Sequence, residues 1–136
     1  MTLEISRSVL AGIAAEAAAS PRLEICGLLF GQGGRIDTHR PCRNVAARPQ
    51  DSFEIDPATL IAALRAERNG GARIAGCYHS HPAGSAEPSI RDAEAATPNG
   101  WVWLIVGSHA AECYRAVGHG RLHGRFDPVA HLSVQP

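Results

Sequence analysis

Apolar residues recur along the chain with two different periods. Val9, Leu10, Ile13 and Ala17 return at helical spacing between Ser6 and Ser20-Pro21. That spacing predicts a helix capped by Ser6 and running to about Ala19. A second stripe, Leu60, Ile61 and Leu64, follows Asp56-Pro57 and stops at Asn69-Gly70-Gly71. An Asp cap with proline in the first turn is a strong helix start. A third, short helix is expected over Ser89–Ala96, closed by Pro98-Asn99-Gly100. Elsewhere the apolar runs are short or alternate with polar residues, as strands do. These runs are Thr2–Ile5, Glu24–Gly31, Arg35–Arg40, Phe53–Ile55, Arg73–His81, Trp101–Gly107, Glu112–Val117 and Leu122–Phe126. Gln32-Gly33-Gly34 reads as a turn, Pro41–Asp51 as irregular and Pro82–Pro88 as a loop. The mixture predicts an α/β (α+β) fold built around one central sheet.

Length and charge narrow the possibilities. The 136 residues suggest a single domain over 1–136, with an apolar content of 45% that supports a core without help from disulfides. Lys+Arg and Asp+Glu both number 13, which argues against a nucleic-acid partner, because such partners select a basic face. No run of basic residues exceeds two, so a polybasic membrane tether is not expected. The longest apolar run, Trp101–Val106, is strand length, far below the roughly 18–20 residues that span a bilayer. A signal-peptide reading of the N-terminus fails on Glu4, Glu16 and the alanine-rich character of 9–19. Cys26, Cys42, Cys77 and Cys113 form no CxxC pair and read as reduced core thiols of a cytoplasmic protein.

The chemistry concentrates in Tyr78-His79-Ser80-His81-Pro82 and Pro88-Ser89-Ile90-Arg91-Asp92. Two histidines two residues apart diverge on a helix. On a strand they share one face, about 6.6 Å apart along the chain. The preceding Ile74–Tyr78 is strand-like, so both imidazoles can converge on one metal ion. Asp92 is the natural candidate for a third ligand, because the Pro/Gly-rich loop can fold back and present the first turn of a helix. Each half also has a plainer reading. Ser89-x-x-Asp92 is by itself a capping box, and an isolated His-x-His is commonly a pair of partly exposed histidines.

Taken together, His79-Ser80-His81-Pro82, six residues, Ser89 and Asp92 resemble the signature H-S/T-H-P-x(6)-S-x-x-D of the JAMM (MPN+) metalloproteases. The run Pro21–Gly31 resembles the family's glutamate-bearing first strand segment. Arg43-Asn44-Val45-Ala46 and Phe53-Glu54-Ile55-Asp56-Pro57 are similar to its compact prokaryotic members. The resemblance implies a JAMM/MPN-like domain, a curved mixed sheet flanked by helices in a layout like that of the zinc deaminases. It further implies that His79, His81 and Asp92 hold one Zn²⁺ per chain, with a water in the fourth position. Glu24 would be the general base and Ser89 would donate to the developing oxyanion. Glu24 opens an otherwise apolar run. Judged without the resemblance, it reads as a strand-end side chain in solvent.

The implied function is hydrolysis of a peptide or isopeptide bond after the C-terminal Gly-Gly of a ubiquitin-like protein. The chain has little room for the insertions of ubiquitin-chain-specific members, so it resembles the compact prokaryotic form, and that resemblance implies a sulfur-carrier protein as partner. A non-catalytic MPN-type binding module is the alternative, and it would be marked by a lost ligand or a lost Glu24. A deaminase would need H-x-E and P-C-x-x-C, and a structural zinc site would be cysteine-rich; neither pattern is present. His119 and His123 have metal-like spacing, but their flanking glycines argue against a helix that would join them. His39, His109 and His131 read as solvated, and Trp101 and Trp103 as packing residues on one strand face.

Overall fold

The computed structural model describes residues 1–135. Among these residues seven strands and three helices follow one another. They are β1 (Thr2–Ser6), α1 (Arg7–Ala18), β2 (Cys26–Gln32), β3 (Arg35–Cys42), α2 (Pro57–Arg68), β4 (Ile74–Ser80), α3 (Ile90–Ala95), β5 (Val102–Val106), β6 (Ala111–Gly120) and β7 (Gly124–Val134). The strands lie in the order β1-β3-β2-β4-β5-β6-β7. The sheet is mixed: β1 runs parallel to β3 and to β7, β4 runs parallel to β5, and the other neighbours are antiparallel. Because β1 pairs with both β3 and β7, the expected curvature goes as far as closure into a barrel.

The local signals act as expected where they are local. Asp56 caps α2 by accepting from the Ala58 N–H, with Pro57 at the first helical position. Gly33 and Gly34 turn the β2–β3 hairpin at positive φ, where a side chain would be strained. Ser6 sits at the N-cap of α1, but its hydroxyl meets Ser8 Oγ at 2.8 Å rather than the helix backbone. The expected strand Phe53–Ile55 shrinks to a single bridge between Ile55 and Asn44. The final strand runs on to Val134, past the expected Phe126, because its second half finds β1 as a parallel partner.

Strands β2, β4 and β5 are buried on both faces, which explains their nearly continuous apolar runs. On one face Cys26, Leu28, Phe30, Cys77, Trp103, Ile105 and Phe126 pack beneath α2. On the other, Leu3, Ile5, Leu29, Tyr78 and Leu104 pack against Val9 and Ile13 of α1. Tyr78 is fully buried, and its hydroxyl donates to Glu16 Oε1 at 2.7 Å. His39 is not a free surface residue as its setting suggested. Its ring meets the Tyr78 ring edge-on at 5.8 Å and abuts Gly12 of α1.

Gly27 faces Tyr78 across the β2–β4 ladder. A Cβ there would lie 2.4 Å from the Tyr78 ring and 2.3 Å from the Arg40 carbonyl. Gly27→Ala is therefore expected to lower the midpoint of urea unfolding without changing its slope, at an overpacking cost of about 1–3 kcal/mol. An unchanged midpoint would mean that the ring swings aside freely.

Candidate active site

Strand β4 ends with His79 and Ser80, His81 follows directly at the mouth of a cleft, and α3 is capped beside it by Ser89. His79 is completely buried, whereas the His81 side chain is 13% exposed. The pleat puts both rings on one side of β4, and the 82–88 loop brings α3 back so that Asp92 meets them. His79 Nε2 and His81 Nε2 lie 3.1 Å apart, and each lies 3.2 Å from Asp92 Oδ2. The three side chains singled out from spacing thus converge on one point.

Two local arrangements fix their chemistry. His81 Nδ1 donates to the Ser85 carbonyl at 2.9 Å, which fixes the ring and turns Nε2 to the centre. Ser89 and Asp92 form a full capping box. Ser89 Oγ accepts from the Asp92 N–H at 3.0 Å, and Asp92 Oδ2 accepts from the Ser89 N–H at 2.9 Å. The capping reading of Ser89 therefore holds, and the cap is also what aims Asp92. Burial by itself would raise the Asp92 carboxyl. The hydrogen bonds from His79, His81 and the Ser89 N–H outweigh it and hold the group well below the usual carboxylate range. Burial pushes His79 down, so its ring is neutral and able to ligate.

A cation fits this triangle. Tetrahedral zinc with bonds of about 2.0–2.1 Å has ligand–ligand edges of roughly 3.3–3.4 Å, close to the observed spacings. A wider group, Glu24 with His79 and His81, has its donor atoms within 4.8 Å of one another. In the tighter set the atoms lie at coordination spacing and Asp92 is tied in place by the capping box.

Glu24 is only 6% exposed, and its Oε1 is buried without a hydrogen-bond partner among the described residues. The solvent-facing reading of this glutamate does not hold. Nor does it start the strand: its N–H donates to the Pro49 carbonyl at 2.8 Å and its carbonyl accepts from Asn44 Nδ2 at 3.0 Å, so the ladder begins at Cys26. Burial, with smaller repulsion from Asp92 and Asp51, pushes its carboxyl up to about 7 against the pull of His81 and Arg91. A carboxylate poised there can hold or release a proton near neutrality.

Other side chains shape the surroundings. Phe53 stacks on His79 at 4.2 Å, and Trp103 meets the same ring edge-on at 5.7 Å. Trp103 is a core residue and Trp101 packs at its margin, as expected. Arg91 joins Asp51 at 2.6 Å on the exposed rim. A groove of about 590 Å³, lined by Leu10, Ala14 and Ala17 of α1 and by the 107–111 turn, opens beside His81. His119, near the end of β6, and His123, in the turn that follows, adopt positive φ of 63° and 53°, and His123 contacts the Pro88 carbonyl instead of a second histidine. His109 is exposed, and His131 lies half-buried on β7 at the groove. Sequence reasoning assigned no role to Asn44, Phe53 or Ser80. The only signal for Asn44 and Phe53 was that both stand in the segments resembling the prokaryotic members.

The family model for prokaryotic homologs of the JAB domain matches residues 6–118. The chain belongs to this compact prokaryotic branch of the JAMM/MPN family. It is 37% identical over 100 residues to a desampylase of Haloferax volcanii, covering 72% of each chain. A probable TtuB-protein conjugate cleaving protease of Thermus thermophilus is 41% identical over 61 residues, 43% of this chain and 41% of that one. A Desulfitobacterium hafniense protein solved in solution superposes with a TM-score of 0.82 at 22% identity, over 99% of this chain and 94% of the other. That last likeness concerns the fold. Among the described residues, no helix is long and apolar enough to cross a membrane.

The capping box makes a measurable contribution of its own. Ser89→Ala is expected to destabilise the protein by about 0.5–2 kcal/mol, read from thermal or urea unfolding. No loss of stability would mean that the Asp92 end of the box suffices.

Proposed function

We propose that this chain is a zinc-dependent metallopeptidase. It hydrolyses a peptide or isopeptide bond after the C-terminal Gly-Gly of a ubiquitin-like protein, a sulfur carrier in the first instance. The observation that carries the reading is the juxtaposition of a three-donor triangle with an unpaired buried carboxylate. His79, His81 and Asp92 would hold one Zn²⁺, and Glu24 stands beside them. The relative named for cleaving protein conjugates supports the bond class.

Zinc in such a site polarises the carbonyl and lowers the pKa of water to about 7. The remaining roles belong to the chain. Glu24 takes the proton of the attacking water and passes it to the departing amine. Its Oε1 has no hydrogen-bond partner among the described residues, which leaves it free for that transfer. Ser89 Oγ already accepts the Asp92 N–H, so its own proton is free to meet the developing oxyanion. The Arg91–Asp51 rim and the apolar groove beside His81 bound the approach of the polypeptide. The reading places a single 1–136 domain in the cytoplasm, consistent with its four free thiols. A purely binding role would be favoured by a missing ligand, and each position is filled.

Purified protein is expected to bind about one zinc per chain. His81→Ala should lose most of it while its circular dichroism stays native. A wild type that takes up no stoichiometric zinc would end the assignment. Incubated with a carrier extended past Gly-Gly, the zinc-loaded enzyme should yield a product that ends at the second glycine by intact-mass spectrometry. Glu24→Gln should keep the zinc and lose most of this activity, and full retention would remove Glu24 from the mechanism. Ser89→Ala should lower kcat by about 10²–10³-fold with little change in KM, measured below its unfolding temperature.

A further inference from the structure

Ser80, the middle residue of His79-Ser80-His81, has no chemical role in the site just described, although it borders the groove beside His81. It is 2% exposed, and alternation along β4 turns its side chain to the face opposite the two histidines. The β2–β4 ladder ends at the pair Cys26 and His79. One residue further out, Ile25 stands opposite Ser80. The Ser80 N–H donates to the Ile25 carbonyl at 3.1 Å, as a ladder would continue. The reciprocal bond differs: the Ile25 N–H donates to Ser80 Oγ at 2.9 Å instead of a strand carbonyl. A side chain has replaced the backbone acceptor at the point where the chain leaves the sheet.

The next residue toward the N-terminus is Glu24. Its N–H goes to the Pro49 carbonyl and its carbonyl to Asn44 Nδ2. Asn44 spends its whole amide on this junction. Nδ2 also donates to the Ser52 carbonyl at 3.1 Å, and Oδ1 accepts from the N–H of Ala46 and of Glu54. Three successive backbone groups around Glu24 are therefore held by partners outside the ladder, while Glu24 Oε1 is held by none among the described residues. The carboxylate owes its position to its backbone. Misplacement by about an ångström can cost roughly 10²-fold in rate.

We propose that Ser80 is a positioning residue for Glu24. Its hydroxyl captures the Ile25 N–H, stops the strand there and sets the aim of the carboxylate, with Asn44 closing the same clamp. The proposal rests on the role of Glu24 given above, and the test separates the two. Ser80→Ala should keep one zinc per chain and a KM within about threefold. Its kcat should fall by roughly ten- to hundredfold, and Ser80→Thr, which restores the acceptor, should recover most of that loss. In a Glu24→Gln background Ser80→Ala should cost nothing further, because its effect runs only through Glu24.

An equal fall in both backgrounds, a loss of zinc in step with activity, or a fully active Ser80→Ala enzyme would overturn the proposal. If Ser80→Ala does not fold, Asn44→Asp decides. It keeps the two bonds accepted from Ala46 and Glu54 and loses the two donated to Glu24 and Ser52. It should show the same fall in kcat and the same absence of effect beside Glu24→Gln, and a fall that persists there overturns the clamp. Full activity of Glu24→Gln itself would count against the catalytic reading of Glu24, and is distinguishable from failure of Ser80 alone.

Discussion

Three atoms able to act as ligands, His79 Nε2, His81 Nε2 and Asp92 Oδ2, are held 3.1–3.2 Å apart. Such a meeting is repulsive unless positive charge, a metal ion or a proton, lies between them. Much of the local architecture can be read as the means of enforcing it. A strand end is needed so that two residues of alternating register share one face. A helix start is needed so that a carboxylate can be oriented by its own backbone. The Ser85 carbonyl is needed to fix the His81 tautomer. The capping box does two jobs at once, since Asp92 Oδ2 both closes the helix and faces the histidines.

The barrel supplies the rigidity that this arrangement requires. Strand β4 is interior, flanked by β2 and β5, and is buried along nearly its whole length. The site lies at the C-terminal end of the parallel pair β4–β5, where the crossover through α3 leaves the sheet. Open α/β sheets place ligands at the corresponding position. Because both faces of β4 are packed, a shift of the histidines would have to move Trp103 and Phe53 on one face or Tyr78 on the other. Close-packed interiors resist such shifts.

Glu24 is the costly element. A carboxylate taken out of water without a partner raises its proton affinity, and the group is pushed up to about 7. The fold tolerates it because the neighbouring backbone is fully bonded through Pro49, Asn44 and Ser80. Ordering is concentrated in the main chain, which leaves the side chain chemically free.

What the amino-acid order determined alone is what acts over a few residues. The same-face spacing of His79 and His81, the Ser89–Asp92 box and the Asp56-Pro57 helix start each depend on strand period or on a side chain reaching backbone within one turn. They could be read before any fold was known. The long-range pairings could not. The bond from the Ile25 N–H to Ser80 spans 55 residues, and that from Tyr78 to Glu16 spans 62. The parallel pairing of β1 with β7 joins the two ends of the described chain. Burial of Glu24, packing of His39 under α1 and extension of β7 to Val134 follow from those pairings. A residue's exposure and spare hydrogen-bonding groups are set by what arrives from a distance. No local pattern encodes that arrival, because the same short run is equally content beside solvent or beside a strand.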